Sequence, residues 1–314
     1  MGLAAPVRAG FFPPGAFSSR ASGATGAAFL KTPGGARASA MGGVSAAAGR
    51  GADAVFLNPA TLADLDATSP SEVAVGYDAL LESAYTGSVA YARPMGQAGA
   101  FGAGLLYASQ SAQTAYTAVG DPNGTFTPSD LALGAWYAQR LGAISLSGGL
   151  KLLRSSLADA TATTAAFDFG LMAKHAADLG DGPLDVGASF TNLGPPLKLG
   201  GTGDALPARV RAGADWHLSP TFDAGLDLVL PVDQDPYVSL GVEGRIPAAR
   251  IKSDKPWVIA IRGGFDQSRT RGIDGFTGFS AGAGFDFSAM RVDYAWIPFG
   301  DLGTVNRISL GFRF

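Results

Sequence analysis

The C-terminal part of the chain alternates between apolar and polar residues with a period of two. In 307–314 every even-numbered residue is apolar and every odd-numbered residue is polar or glycine. The same strict alternation occurs in 208–216, 238–243 and 279–287. Because successive side chains of a β-strand point to opposite faces, this pattern predicts strands with one apolar face and one polar or glycine-rich face.

Alternation of this kind continues from residue 71 to the C-terminus and predicts about fourteen strands. They are expected near 71–78, 84–93, 98–108, 129–140, 142–154, 162–174, 183–192, 206–217, 221–231, 236–246, 256–265, 276–287, 289–298 and 303–314. Strands of about ten residues cross a bilayer when tilted. The connections between the strands alternate in length along the chain: longer ones are expected near 109–127, 194–205, 266–275 and 299–302, and tight turns near 141, 218–220 and 288. The connections near 176–182 and 247–255 are exceptions, because they are long but fall at the end of the barrel where the other connections are short. This layout is typical of outer-membrane β-barrels in Gram-negative-type bacteria.

A soluble β-sandwich is the competing interpretation, because its strands alternate as well. Strands in globular proteins usually run about five or six residues, which is shorter than those predicted here. The chain ends within an alternating strand on the aromatic residues Phe312 and Phe314, which serve as a C-terminal barrel signal. With 16% charged residues, 45 glycines and no apolar run of about 18 residues, the chain fits an all-β transmembrane antiparallel barrel better than a helical membrane protein.

Charged residues concentrate on the strand face that the barrel turns toward its lumen. The predicted lumen charges are Lys151, Asp168, Asp185, Arg209, Arg211, Asp215, Asp223, Asp227, Glu243, Arg245, Arg262, Asp286, Arg291, Asp293 and Arg307. Rings of one sign are typical of an ion-selective pore, whereas these signs are mixed. Since unpaired buried charges are costly, we favour salt bridges that tie the strands and the N-terminal residues together, with an ion-selective lining as the alternative.

The first 70 residues lack sustained periodicity. Residues 10–70 are rich in Gly, Ala, Ser and Pro, with short helices expected near 36–41 and 59–63. Residues 1–9 end in Val-Arg-Ala, which fits a signal-peptidase site, so they are interpreted as the remnant of a signal peptide. Residues 71–314 form the predicted barrel domain.

Composition also limits the chemistry. The chain has no cysteine and only two histidines, His175 and His217, so neither a metal site nor a cofactor is expected. No nucleophile motif is present, which predicts a protein without enzymatic activity. The pI near 5.4 argues against nucleic acid as a partner.

Short motifs along the chain resemble the PorV/PorQ family of outer-membrane proteins, which is related to FadL-type fatty-acid transporters. The motif positions near the N-terminus are Gly35, Arg37, Met41, Gly42, Gly43, Asn58 and Pro59, the last two within an Asn-Pro-Ala element. Looser matches follow at 192–195, 206–213, 241–243 and 292–310, so the resemblance covers nearly all of 29–314.

The resemblance implies a fourteen-stranded barrel whose residues 10–70 fold into the lumen as a plug. It also implies a function in type 9 protein secretion, as an accessory that binds secretion-system or other surface proteins. The alternative is a FadL-like channel for hydrophobic small molecules, whose partners are a hydrophobic ligand and the lipid of the outer membrane. A gap in the barrel wall, or an apolar pocket near Phe56 and Leu57, would favour this alternative.

Overall fold

The computed structural model describes residues 10–32, 34–65, 68–201, 203–251 and 256–314. The predicted signal-peptide remnant, residues 1–9, lies outside the described residues. Among the described residues, no helix has the length and apolarity needed to cross a membrane.

Fourteen antiparallel strands close into a barrel, as predicted. The strands of the described residues are β1 (Glu72–Ala79), β2 (Ala84–Pro94), β3 (Ala100–Gln110), β4 (Gln113–Tyr116), β5 (Pro122–Phe126), β6 (Ser129–Leu141), β7 (Ile144–Leu157), β8 (Ala160–Leu179), β9 (Gly182–Leu193), β10 (Arg209–Ser219), β11 (Phe222–Pro231), β12 (Tyr237–Pro247), β13 (Trp257–Asp266), β14 (Phe279–Phe287), β15 (Met290–Pro298) and β16 (Thr304–Arg313). Strands β4 and β5 form a separate hairpin, and β1 pairs with β16 to close the barrel. The all-β barrel prediction is therefore confirmed.

Connections at the two ends of the barrel differ in length. The longer ones, including 111–128, 194–208 and 267–278, share what we call the loop end. The opposite, turn end carries most of the tight turns and the chain ends of the barrel, where Ser71 and Phe314 exchange two backbone hydrogen bonds of 3.0 and 2.9 Å. The break predicted at 176–182 is shorter than expected, because β8 continues to Leu179 beyond a register shift.

The two faces of the strands differ as the alternation predicts. Large apolar side chains are exposed on the outside, among them Leu133, Leu150, Phe167, Phe169, Leu226, Leu228, Leu240, Ile261, Phe285, Ile308, Leu310, Phe312 and Phe314. The inward face instead carries buried charged residues and glycines. Lipid-facing strands of outer-membrane barrels show this same arrangement.

The described part of the N-terminal segment, residues 10–70, contains one α-helix and several 3-10 helices. Helix α1 (Ala36–Ala40) packs against β13–β16, and the 3-10 helices span Ser19–Ala21, Ala28–Lys31, Ala52–Phe56 and Pro59–Asp64. The expected helices near 36–41 and 59–63 are present as α1 and as the last of these 3-10 helices. The described part of the segment contacts inward-facing residues of the barrel at many points.

Candidate functional site in the barrel lumen

Asn58 is fully buried where the N-terminal segment meets the inner face of β8. Its side-chain oxygen accepts from the Ala60 amide at 3.1 Å and so caps the 3-10 helix that begins at Pro59. Its Nδ2 donates to the carbonyls of Ala46 at 2.6 Å and Leu171 at 3.0 Å. The Asn58 side chain therefore forms hydrogen bonds with backbone groups of both the N-terminal segment and the barrel wall.

The glycines of the N-terminal motif allow turns that other residues adopt with strain. Gly35, Gly42 and Gly43 have φ values of 87°, 68° and 86°. The Gly42 amide donates to Ser280 Oγ on β14 at 3.1 Å. Met41, fully buried, lies directly over Gly241 of β12. The motif therefore places the backbone at 41–43 against the inner face of the barrel.

Glu243, in the middle of β12, is the centre of the largest charge cluster. Its carboxylate is 2% exposed. It accepts from Arg37 Nε at 2.9 Å and from Arg262 Nε at 2.6 Å on one oxygen, and from Arg245 Nη1 at 2.7 Å on the other. Arg37 comes from helix α1, whereas the other two arginines lie on the barrel. The cluster thus joins the N-terminal segment to two neighbouring strands.

A second group of charges extends from this cluster along β15. Arg262 Nη1 donates to Asp293 at 2.7 Å, and Arg291 donates to Glu72 at 2.9 Å and pairs with Asp293 at 3.1 Å. Asp53 of the N-terminal segment lies 3.8 Å from Arg291. Burial raises the pKa of the Asp53 carboxyl to about 6, and the nearby guanidinium opposes that shift.

Asp227 on β11 forms a third connection to the N-terminal segment. It accepts from the backbone amides of Ser45 at 2.8 Å and Ala46 at 3.1 Å. Arg211 on β10 pairs with it at 2.8 Å and also donates to the Gly43 carbonyl. These groups compensate the charge of a fully buried carboxylate, which would otherwise be costly.

Other predicted lumen charges have further partners. Lys151 pairs with Asp168 at 2.9 Å, and Arg307 donates to Ser39 Oγ at 2.7 Å. Arg209 donates to the Lys31 carbonyl at 3.3 Å. Asp286 forms a rim pair with Arg313 at the turn end, where both side chains are partly exposed.

Trp136 and His217 also lie in the lumen. Trp136 is 2% exposed and its indole N–H donates to Asp168 at 2.9 Å. It fits inward because Gly134 and Gly149 beside it have no side chains. His217 contacts Asp223 and Asp185 through its two ring nitrogens, at 2.9 and 3.2 Å. The sequence indicates this inward placement, because Trp136 and His217 each lie an even number of residues from the inward-facing residues of their own strand.

The lumen wall is divided into a charged part and an apolar part. Thirteen of the fifteen predicted lumen charges lie on β9–β16, and only Lys151 and Asp168 lie on β7 and β8. The inner face of β2, β3 and β6–β8 carries what we call the apolar wall, formed by Ala90, Ala92, Ala100, Leu106, Ala132, Trp136, Ala138, Leu153, Ala162 and Ala166. Sequence reasoning missed this division, although the inward charges become dense only after residue 184.

Side chains of the N-terminal segment cover the apolar wall. Near the turn end Val55, Phe56 and Leu62 pack on it, and the Phe56 ring meets Trp136 edge to face at 5.8 Å. Toward the loop end Ala27, Phe29 and Leu30 pack on it instead. The apolar region near Phe56 and Leu57 is therefore present, but filled by the protein itself.

Cavities border the N-terminal segment at both ends of the barrel. One of about 220 Å³ at the loop end is lined by Lys31, Arg209, Asp233 and Arg269 among others. Two more, of about 180 and 260 Å³, lie toward the turn end beside Arg50. Every neighbouring pair of barrel strands is hydrogen-bonded in the part of the chain that the structure describes. A gap in the wall, which would favour the channel alternative, is therefore not seen there.

Comparison with known proteins finds no matching family model and no matching curated protein. Solved structures do match. The chain resembles the Pseudomonas putida toluene transporter TodX at 14% identity and a TM-score of 0.54, covering 87% of this chain and 95% of that one. It resembles the Ralstonia pickettii toluene transporter TbuX at 14% identity and a TM-score of 0.57, with coverages of 89% and 98%. A Pseudomonas aeruginosa FadL homologue gives 11% identity, a TM-score of 0.56 and coverages of 90% and 98%.

These comparisons correct the main functional prediction. The prediction of a secretion accessory of the PorV type is wrong, because the solved structures that this barrel resembles are described as hydrocarbon transporters and channels. Those structures support the FadL-type part of the resemblance and leave the PorV/PorQ part unsupported. The chain therefore has the closed, fourteen-stranded barrel fold of FadL-type outer-membrane proteins of Gram-negative bacteria.

Proposed function

We propose that this protein is a non-enzymatic outer-membrane conduit for hydrophobic small molecules. The observation that carries the proposal is the division of the lumen, because an apolar solute needs apolar contacts and most inward side chains of β2, β3 and β6–β8 supply them in two clusters. The charges of Lys151 and Asp168 on these strands are paired with each other. The likeness to barrels described as toluene transporters supports the same class of solute. The hydrophobic ligand and the surrounding lipid are its expected partners.

The N-terminal segment, residues 10–70, serves as the plug of this conduit, within a barrel domain of 71–314. The charge clusters at Glu243, Asp227 and Asp293 hold the segment against the charged wall. On the opposite side most contacts of the segment are apolar, and a hydrophobic solute can replace these without leaving a charge unpaired. Polar contacts on this side include those of Asn58 with β8 and of Asp64 with Arg140 and Lys174. Solute therefore passes between the N-terminal segment and the apolar wall.

Uptake by whole cells tests the proposed function. Expression in a Gram-negative strain that lacks its own FadL-type channels is expected to increase the initial rate of radiolabelled toluene uptake. Uptake of a hydrophilic disaccharide should stay at the level of the empty strain, because the charged side of the lumen is closed by paired groups. Increased disaccharide uptake without increased toluene uptake would contradict the proposal.

Two variants locate the path within the lumen. Leu106→Gln places an amide on the apolar wall and is expected to lower toluene uptake. Asp286→Asn alters the rim pair on the charged side and should leave uptake unchanged. Heat-modifiable migration on a gel confirms that both variants form the barrel. Equal uptake by both would show that solute does not follow the apolar wall.

A further inference from the structure

A cluster of metal-binding residue types lies near the turn end of β10 and β11. One ligand atom from each of Asp215, His217 and Asp223 lies within 4.8 Å of the other two. Asp215 and His217 are two residues apart on one strand face, and Asp223 follows the tight turn on the neighbouring strand. Ligand atoms around a zinc ion lie about 2 Å from it, so this spacing needs only small side-chain adjustments.

Asp215 provides an independent indication of a ligand. The residue is 1% exposed, and its Oδ1 has no hydrogen-bond partner among the residues that the structure describes. Asp223 differs, because its charge is balanced by Arg50 at 2.7 Å and by Arg245. A buried carboxylate oxygen without a donor is costly, and a bound cation is one of the few ways to satisfy it.

The imidazole of His217 is oriented as metal-binding histidines usually are. Its Nε2 faces Asp185 Oδ2 at 3.2 Å, and its Nδ1 faces Asp223 Oδ1 at 2.9 Å. Metal-bound histidines typically donate their other ring N–H to a carboxylate, which fixes the tautomer. If Nε2–H donates to Asp185, then Nδ1 carries the lone pair and points toward Asp223.

Space for an ion is available beside these residues. The cavity of about 260 Å³ is lined by Asp185, Asp215 and His217, and also by Asp64 and Lys174. The His217 side chain is 25% exposed, so the cluster can be reached from the turn end. Imidazole together with carboxylates suits Zn²⁺ and related transition metals better than Mg²⁺ or Ca²⁺, which prefer oxygen ligands alone.

We propose that Asp215, His217 and Asp223 bind a divalent transition metal of the Zn²⁺ class, with Asp185 as the positioning residue of the imidazole. The site joins β9, β10 and β11 beside Arg50 of the N-terminal segment. It is separate from the apolar wall, so its existence does not depend on the proposed transport function.

Calorimetric titration of the chelator-treated, detergent-solubilised protein with ZnCl₂ tests the site. One equivalent of Zn²⁺ is expected to bind. The variants His217→Ala and Asp215→Asn are each expected to weaken Zn²⁺ binding by about tenfold or more. Asp185→Asn is expected to weaken it to a similar extent, because it removes the carboxylate that orients the His217 imidazole. The matched control is His175→Ala, because His175 is the other histidine of the chain and lies exposed beside Asp178. This control should bind Zn²⁺ as the parent protein does.

The proposal would be overturned by the absence of stoichiometric binding, by equal affinity in the His217→Ala and parent proteins, or by loss of binding in His175→Ala. Heat-modifiable migration shows whether each variant is folded, and Asp215→Asn keeps the side-chain volume if His217→Ala fails that check. Equal affinity for Mg²⁺ and Zn²⁺ would likewise contradict the assignment to the Zn²⁺ class.

Discussion

Glu243→Gln is expected to lower the free energy of unfolding by about 3–5 kcal/mol, the usual cost of removing one partner from a buried ion pair. The substitution keeps the side-chain volume, so the loss comes from charge. It leaves Arg37, Arg262 and Arg245 close together in the lumen without the carboxylate that they share. Urea titration of the protein folded in lipid vesicles, followed by the gel shift of the intact barrel, measures the change.

Asp286→Asn is the matched control for this prediction. It also removes one carboxylate from an arginine pair, but the side chains of Asp286 and Arg313 are 38% and 29% exposed. An exposed pair contributes about 0–1 kcal/mol, so the control should change stability little. Equal loss in the two variants would contradict the view that the Glu243 cluster holds the fold together.

Gly264→Ala is expected to force the N-terminal segment away from the barrel wall. A Cβ at this inward position of β13 would lie under 3.0 Å from backbone atoms of Met41 and Gly42, which cannot move as a flexible side chain would. Overpacking of this kind typically costs about 1–3 kcal/mol. Limited proteolysis of the folded protein should then cleave the N-terminal segment faster than in the parent.

The adjacent Gly263→Ala supplies a control with the same chemical change. Gly263 faces outward, and an added Cβ there would meet only a Val242 methyl group at 3.8 Å. This variant should keep both the stability and the protease resistance of the parent protein. If the two variants are cleaved at the same rate, the inward glycines are not needed for the close approach of the N-terminal segment.

The period-two alternation predicted most of the fold, because each strand of a barrel has one face toward lipid and one toward the lumen. The strand positions and the inward placement of residues such as Asp227 followed directly from it. The ion-pair partners did not, since Arg37 and Glu243 are 206 residues apart and only the closed structure brings them together. The inward placement of Trp136 agrees with its parity, and the glycines beside it leave the space that its indole ring occupies.

The functional prediction failed for a different reason. Short motifs such as Asn-Pro-Ala describe a local structure, here a helix cap that also contacts β8, and they occur in barrels with different tasks. The distribution of charge around the lumen is more informative about the solute. That distribution depends on which strands are neighbours, and the closed barrel shows it directly.

Tethering the N-terminal segment at the loop end tests most directly whether solute passes between this segment and the apolar wall. A Cβ at Gly26 would lie 3.3 Å from the Cβ of Asp204, and the Gly26 amide already donates to Ala205 at 3.0 Å. The pair Gly26→Cys and Asp204→Cys is therefore close to disulfide geometry in a chain that has no other cysteine. The tether holds Ala27–Leu30 over Leu153 and Ala166.

The measurement is the initial rate of toluene uptake by cells that carry this variant, oxidised and then reduced, with the two single-cysteine variants as controls. We expect the oxidised form to take up toluene at the rate of cells without the protein, and reduction to restore the parent rate. Parent-level uptake in the fully oxidised form would contradict the proposed path.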